Sequence, residues 1–176
     1  MRIYIHDIEE SLKELAYEEP TTDLNVAFEQ GPVHDYEFSR PARINVQYYR
    51  AGQELFFSGR ALIEVVGECA RCLEHFPFTL DVPFSFVLVP RSHAGDGEAL
   101  ETEDVNLSFY EHQEVDLSPL VRDQVLLALP TRPLCKPDCR GLCANCGANL
   151  NAGECRCQKT TEDLRLAVLR NYRVGP

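Results

Sequence analysis

FTLDVPFSFVL, residues 78–88, puts Phe78, Leu80, Val82, Phe84, Phe86 and Leu88 on one side of an extended chain, with Thr79, Asp81, Pro83 and Ser85 among the intervening positions. Strict period-2 alternation of this length specifies a strand with one face on a core. Pro83 has no N–H to give a ladder, so it implies an edge position or a bulge. The same alternation appears upstream in Ile44, Val46 and Tyr48. Ala51–Gly52 then offers a turn before a second apolar run over 55–66. Runs joined by short turns build an antiparallel meander or a partial barrel. With helices predicted on either side, the fold class is α+β.

Arg2–Ile5 predicts a short strand. Asp7 and Glu10 have N-cap and N3 spacing, and Ile8, Leu12 and Leu15 recur at helical intervals, which predicts a helix ended by Pro20. Leu24, Val26 and Phe28 alternate with Asn25 and Ala27 and predict a half-buried strand. Residues 90–104 are polar, acidic and glycine-containing and read as an exposed, mobile loop, followed by a short strand over 105–109. Ser118 and Pro119 have the form of N-cap and N1 for a helix carrying Leu120, Val121 and Val125. The run 125–129 is apolar all round, which predicts a well-buried helix, and Pro130 and Pro133 stop it. Thr160 and Asp163 make a capping-box pattern ahead of Leu164, Ala167 and Val168, so a last helix is expected. The chain therefore divides into an acidic α+β body (1–131), a cysteine-rich module packed on it (132–159) and a C-terminal helix (160–176).

The net charge of −11 is uneven. Residues 1–131 hold 9 Lys/Arg and 24 Asp/Glu, whereas 132–176 hold 8 and 4. Phosphates repel the first part and attract the second. The opening residues contain no apolar signal segment, and no apolar run approaches about 18 residues. A cytoplasmic chain without membrane contact is expected, and there structural disulfides are rare.

That compartment bears on the cysteines. Six of them, Cys135, Cys139, Cys143, Cys146, Cys155 and Cys157, fall within 23 residues as C-x3-C-x3-C-x2-C-x8-C-x-C, and Cys69 and Cys72 form a further C-x2-C. Packing does not ask for thiols at this density, but tetrahedral Zn2+ does, taking four thiolates per ion. CANCGANL, residues 143–150, has the form of a zinc knuckle, with Gly147 accepting the left-handed backbone that turns amides toward sulfur. One site is then Cys143, Cys146, Cys155 and Cys157. Cys69 and Cys72 lie at the tip of a predicted hairpin, and with Cys135 and Cys139 they make a second site that fastens the tail to the sheet. Ligand counting favours these two structural Zn2+ sites. The rival partition keeps four of the clustered cysteines on one ion and leaves Cys69 and Cys72 outside it. Four protein thiolates leave no open position for water, which excludes Lewis-acid catalysis at such a site. Each zinc bound this way carries a net −2 and offsets much of the tail's positive charge.

Other readings compete. His112-Gln113-Glu114 ahead of Cys143 and Cys146 has some of the H-x-E…P-C-x-x-C pattern of zinc nucleobase deaminases, but Leu142 stands where the proline belongs and four more cysteines surround the pair. Cys69 and Cys72 could act as a redox dithiol, making the protein a zinc-thiol redox sensor or oxidoreductase; the thioredoxin-like version needs the motif to open a helix. Tyr48-Tyr49-Arg50 and Asn171-Tyr172-Arg173 could stack on RNA bases, although packing explains their spacing equally well. His6, His34, His75 and His93 have no evident ligand partners.

Three segments together resemble one family. CARCLE (69–74) after a strand, LALP (127–130) at a helix end, and CKPDCRGLCANCGANLN (135–151) are similar to the YceD family, bacterial proteins with plastid relatives linked to accumulation of large-subunit ribosomal RNA. The likeness covers nearly the whole chain. Ala144 departs from the proline that the knuckle often carries. Some relatives resemble only the body and the first C-x2-C, which makes the tail site an elaboration. The resemblance implies a non-enzymatic, cytoplasmic ribosome biogenesis factor acting on the large-subunit rRNA precursor. The family is commonly encoded beside a small zinc-binding large-subunit ribosomal protein, which adds a basic ribosomal protein as an expected partner. The acidic body suits such a partner and the basic tail suits rRNA.

Overall fold

A computed structural model describes residues 1–30, 35–91, 107–111 and 113–157. The elements in chain order are β1 (Arg2–Tyr4), a 3-10 turn (Ile5–Asp7), β2 (Lys13–Glu19), α1 (Thr22–Gln30), β3 (Tyr36–Phe38), β4 (Ala42–Ala51), β5 (Glu54–Glu68), β6 (His75–Pro90), β7 (Leu107–Tyr110), β8 (Glu114–Asp116) and α2 (Leu117–Ala128). The main sheet runs β2-β4-β5-β6-β7, with β3 pairing β5 beyond the end of β4. β1 and β8 form a separate antiparallel pair. Among the described residues the sheet path is open and no barrel closes.

The alternation that predicted the meander is realised. Val82, Phe84, Phe86 and Leu88 are buried, as are Leu55, Phe57, Ala61, Ile63 and Val65 of β5 and Ile44 and Val46 of β4. The register Val46↔Gly59↔Phe84 puts these rows on one face. Leu117, Val121 and Val125 of α2 and Leu24 of α1 join the same cluster and cover that face. Arg43, Asn45, Gln47, Ser58 and Arg60 lie on the other. β7 meets β6 only at Val87–Pro90, so among the described residues the far side of β6 is an edge at Pro83, as its missing N–H requires.

The N-terminal expectations are corrected. Leu12 is 60% exposed, so the helical stripe Ile8, Leu12, Leu15 does not form. Residues 13–19 are instead a strand whose Leu15 and Tyr17 lie opposite Val46 and Ile44. A ladder to β4 overrides the local helical spacing. Conversely, the strand predicted from Leu24, Val26 and Phe28 is helix α1. Leu24 and Phe28 are four apart, a spacing that period 2 and the helical period share. Phe28 packs its ring against Tyr36 and Phe38 at centroid distances of 5.6 and 5.9 Å. Asn25 explains how the helix meets β3: its amide donates to the Phe38 carbonyl and accepts from the Phe38 N–H, both at 2.9 Å.

Three further details differ. The N-cap of α2 is Asp116, not Ser118, and its carboxylate accepts from the Ser118 N–H at 3.0 Å. The run 125–129 is not buried all round, since Leu127 is 79% exposed. β7 runs parallel to β6, so the sheet is mixed and not purely antiparallel. The loop expected over 90–104 and the C-terminal helix over 160–176 fall largely or wholly outside the described residues. No helix among the described residues is long and apolar enough to cross a membrane.

Candidate metal centres

Glu68 and His75 close the β5–β6 ladder, so residues 69–74 form the hairpin tip, as expected. The tip folds as a knuckle: the Cys69 N–H donates to the Glu74 carbonyl at 3.0 Å and the Leu73 N–H to the Cys69 carbonyl at 2.9 Å. Leu73 takes the left-handed backbone, φ 61°, that closes this turn. The segment after α2 docks on the tip. The Ala70 N–H donates to the Pro133 carbonyl at 2.8 Å, and the Tyr36 hydroxyl holds the Pro130 carbonyl. This brings Cys135 and Cys139 onto Cys69 and Cys72.

The sulfurs of Cys69, Cys72, Cys135 and Cys139 all lie within 4.8 Å of one another. Cys69 and Cys139 are 3.7 Å apart, as are Cys72 and Cys135. Four sulfurs placed 2.3 Å from a tetrahedral ion would be ~3.8 Å apart, so the set fits a single cation. Cys69, Cys72 and Cys139 are buried, with Phe76, Leu134 and Leu142 packed around them. We refer to these four residues as the hairpin centre.

Cys143, Cys146, Cys155 and Cys157 form the tail centre, with their sulfurs also within 4.8 Å. The Gly147 N–H donates to the Cys143 carbonyl at 2.9 Å, and the Cys143 N–H to the Ala148 carbonyl at 2.8 Å. Gly147 has φ +72°, the left-handed turn predicted for it. Cys146 is exposed and the other three are half-buried.

The thiols of each centre differ in acidity for physical reasons. Burial opposes ionisation of Cys69, but backbone groups of Cys135, Arg71 and Cys72 aimed at its sulfur bring it down to about 6. Cys135 is pushed up to about 12 by burial and by the other thiols crowding it. In the tail centre, backbone groups of Asn145 and Cys146 bring Cys143 down to about 6, while Cys146 beside Cys157 pushes the latter up to about 12. Crowding opposes the ionisation of all four thiols at once, and a cation bound among them would relieve that cost.

A further set of contacts joins the two centres. Arg71, between the ligands of the tip, donates from its guanidinium to the Cys139 carbonyl at 2.8 Å and accepts the Leu142 N–H on its own carbonyl at 3.1 Å. The Asn151 side-chain amide donates to the Cys139 sulfur at 3.3 Å. Gly141 has φ +72°, and a Cβ there would come within 3.0 Å of the Arg71 carbonyl oxygen. Sequence reading did not single out Arg71 and Asn151. Their only signal was position, one inside C-x2-C and the other at the end of the knuckle.

Other predicted groups do not assemble. His112 lies outside the described residues, and Glu114 pairs with Arg2 at 3.6 Å on the edge of β8. Cys143 and Cys146 are grouped with cysteines instead. The Cys69–Cys72 motif caps a hairpin and opens no helix. Tyr49 stacks on Phe56 at 4.9 Å, and Tyr48 on Phe57 at 5.9 Å, which is sheet packing. His6 meets Asp7 at 3.3 Å and His75 meets Glu68 at 4.0 Å, both at the surface.

The family model described as large ribosomal RNA subunit accumulation protein YceD matches residues 57–172, a span that includes all eight cysteines. The chain belongs to the YceD family. Among its relatives is an uncharacterized protein of Mycobacterium tuberculosis, 30% identical over 125 residues, covering 71% of this chain and 55% of the relative. A chloroplastic YceD homologue of Arabidopsis thaliana is 27% identical over 164 residues, covering 80% of this chain and 51% of the homologue. The YceD protein of Haemophilus influenzae is 31% identical over 94 residues, 53% of each chain. The chain thus spans about half the length of these relatives. No solved structure matches it.

Proposed function

We propose that this YceD-family chain is a non-enzymatic, cytoplasmic ribosome biogenesis factor. It supports accumulation or maturation of large-subunit rRNA and is held in shape by two structural Zn2+ ions. The hairpin centre (Cys69, Cys72, Cys135, Cys139) takes one ion and the tail centre (Cys143, Cys146, Cys155, Cys157) the other. The observation that carries this reading is the closure of both centres: each places four sulfurs within 4.8 Å, leaving no ligand position for water or substrate. Zinc at such sites contributes folding free energy, about 10–16 kcal/mol in small modules. The residues between Cys135 and Cys157 have few large apolar groups to hold them otherwise.

On this reading 1–131 is the acidic body and 132–159 the metal module. The direct partner is large-subunit rRNA or a basic ribosomal protein, met by the basic tail or the acidic body respectively. The redox alternative at Cys69 and Cys72 requires access to an oxidant or a substrate disulfide. Cys69 is 0% and Cys72 4% exposed, which favours the structural role.

Depleting the protein in its host and measuring the ratio of large- to small-subunit rRNA tests the function. The ratio should fall and be restored by the parent chain but not by a Cys69→Ser/Cys72→Ser chain. An unchanged ratio on depletion sinks the proposal. Metal analysis of the purified chain should give about two zinc per molecule.

A further inference from the structure

The contacts between the two centres have a consequence for metal loading. Only Arg140, Gly141 and Leu142 separate the last ligand of the hairpin centre from the first ligand of the tail centre. A link this short could still leave two independent centres if nothing crossed between them. Here several bonds do. The Leu142 N–H is taken by the Arg71 carbonyl at 3.1 Å, and the Leu150 N–H by the Gly141 carbonyl at 2.9 Å. The Arg140 N–H is taken by the Asn151 side-chain oxygen at 2.9 Å. The same Asn151 amide then gives its N–H to the Cys139 sulfur at 3.3 Å. Asn151 does not reach Cys139 by chance of a mobile side chain, because its amide and its backbone N–H are both held by the Asn149 side-chain oxygen at 2.9 Å.

Asn151 therefore belongs to one centre by chain position and to the other by chemistry. It lies between Cys146 and Cys155, inside the segment that the tail thiols bracket, and is held there by Asn149. Its N–H points at a hairpin sulfur, and a hydrogen bond from outside the ligand set orients a ligand and tunes its hold on a metal. Arg71 works in the opposite direction: it lies between two hairpin ligands, and its carbonyl holds the strand that starts the tail knuckle.

We propose that the two centres are energetically coupled through Asn151 and Arg71, so that filling the tail centre raises the metal affinity of the hairpin centre. By linkage the hairpin ion raises the affinity of the tail centre by the same factor. The proposal rests on the metal reading above and adds that Asn151 is a positioning residue for a centre of which it is not a ligand.

The test uses the full chain, reduced and stripped of metal, titrated with Co2+ against a competing chromophoric chelator. Cys146→Ser/Cys157→Ser disables the tail centre and isolates the hairpin centre. Its affinity for Co2+ should fall about 5- to 150-fold relative to the intact chain. Asn151→Asp keeps the oxygen that accepts from Arg140 but removes the N–H and brings a negative charge to Cys139. In an otherwise intact chain it should weaken the hairpin centre about 10- to 100-fold and move its thiolate-to-cobalt absorption to lower energy. In the tail-disabled chain it should add little, because the bond is already lost. Retention of the body fold is checked by far-UV circular dichroism of each variant. Equal hairpin affinity with and without the tail ligands overturns the coupling while leaving the metal reading intact. Absence of any thiolate-to-cobalt absorption in the parent overturns both.

Discussion

Cys69 and Cys72 sit where strands of 15 and 16 residues meet, and their centre is packed under Phe76, Leu134 and Leu142. Cys143 and Cys146 sit in a loop of the tail, and Cys146 is exposed. The same four-thiol arrangement thus stands on two kinds of scaffold. At the hairpin centre the sheet already fixes two thiols, and an ion bound there would join parts of the chain that the fold has brought close. At the tail centre little but local turns orders the thiols, so an ion bound there would supply most of the organisation itself. Equal thiol chemistry therefore does not mean equal structural consequence. One centre fastens the tail to the body, and the other shapes a small module.

The comparison breaks or holds most visibly on removing one ligand from each. Cys72→Ser should cost the body more than about 4 kcal/mol, because it opens a buried site and leaves other thiols without a cation. Cys146→Ser should cost the body no more than the coupling between centres, about 1–3 kcal/mol. Denaturant unfolding followed by a body signal, with zinc counted in parallel, gives both numbers. Equal losses would mean that the two scaffolds depend on an ion to the same extent.

A second probe is the contact between them. Gly141→Ala should cost about 1–3 kcal/mol in unfolding of the tail, since it adds a Cβ against the Arg71 carbonyl at a left-handed backbone position. Protection of amides 142–151 from hydrogen exchange should fall while that of β5 and β6 does not.

A third concerns the two knuckles. Each turns at a left-handed residue, Leu73 in one and Gly147 in the other. Leu73→Gly should be neutral or stabilising by up to about 1 kcal/mol, the relief of strain being partly offset by glycine's greater chain entropy. Gly147→Ala should lose about 1 kcal/mol, from backbone conformation alone, because a Cβ there meets nothing within 4 Å. Thermal melting of the zinc-loaded proteins separates the two signs.

The smallest effect expected is a reference point in the body, remote in sequence from the tail knuckle. Burial opposes ionisation of Asp116, but hydrogen bonds from Ser118 hold its carboxyl below the ordinary value. Its contribution as N-cap of α2 should therefore be complete above the unfolded value of about 4 and lost as pH falls through the lower folded value. Asp116→Ala should cost about 1 kcal/mol at neutral pH, and Asp116→Asn should flatten the acid limb of the stability curve.

Legibility followed the strength of burial. Six alternating residues over 78–88 allow one face to be inside and hence one reading. Residues 12–28 allowed two, because Leu24 and Phe28 suit either period and the partner of Leu15, Val46, lies far along the chain. The direction of β7 was not readable, since alternation does not record whether a neighbour runs parallel. Counting eight thiols in fours allowed the two groups in which the sulfurs lie, but left a single-site partition open as well. Arg71 and Asn151 were not readable, because a hydrogen bond to a ligand from the far side of a docked loop has no pattern in sequence.

The separation of the hairpin ligands also sets a timetable. Cys72 and Cys135 are 63 positions apart. At synthesis rates of about 5–20 residues per second, the first pair waits ~3–13 s for the second. During that interval β5 and β6 can pair, but their tip carries two uncovered thiols. Nascent chains arrested before Leu134 should accordingly be alkylated at Cys69 and Cys72, whereas the completed chain is shielded. An ion at the hairpin centre would find its four thiols together only after most of the sheet has been made.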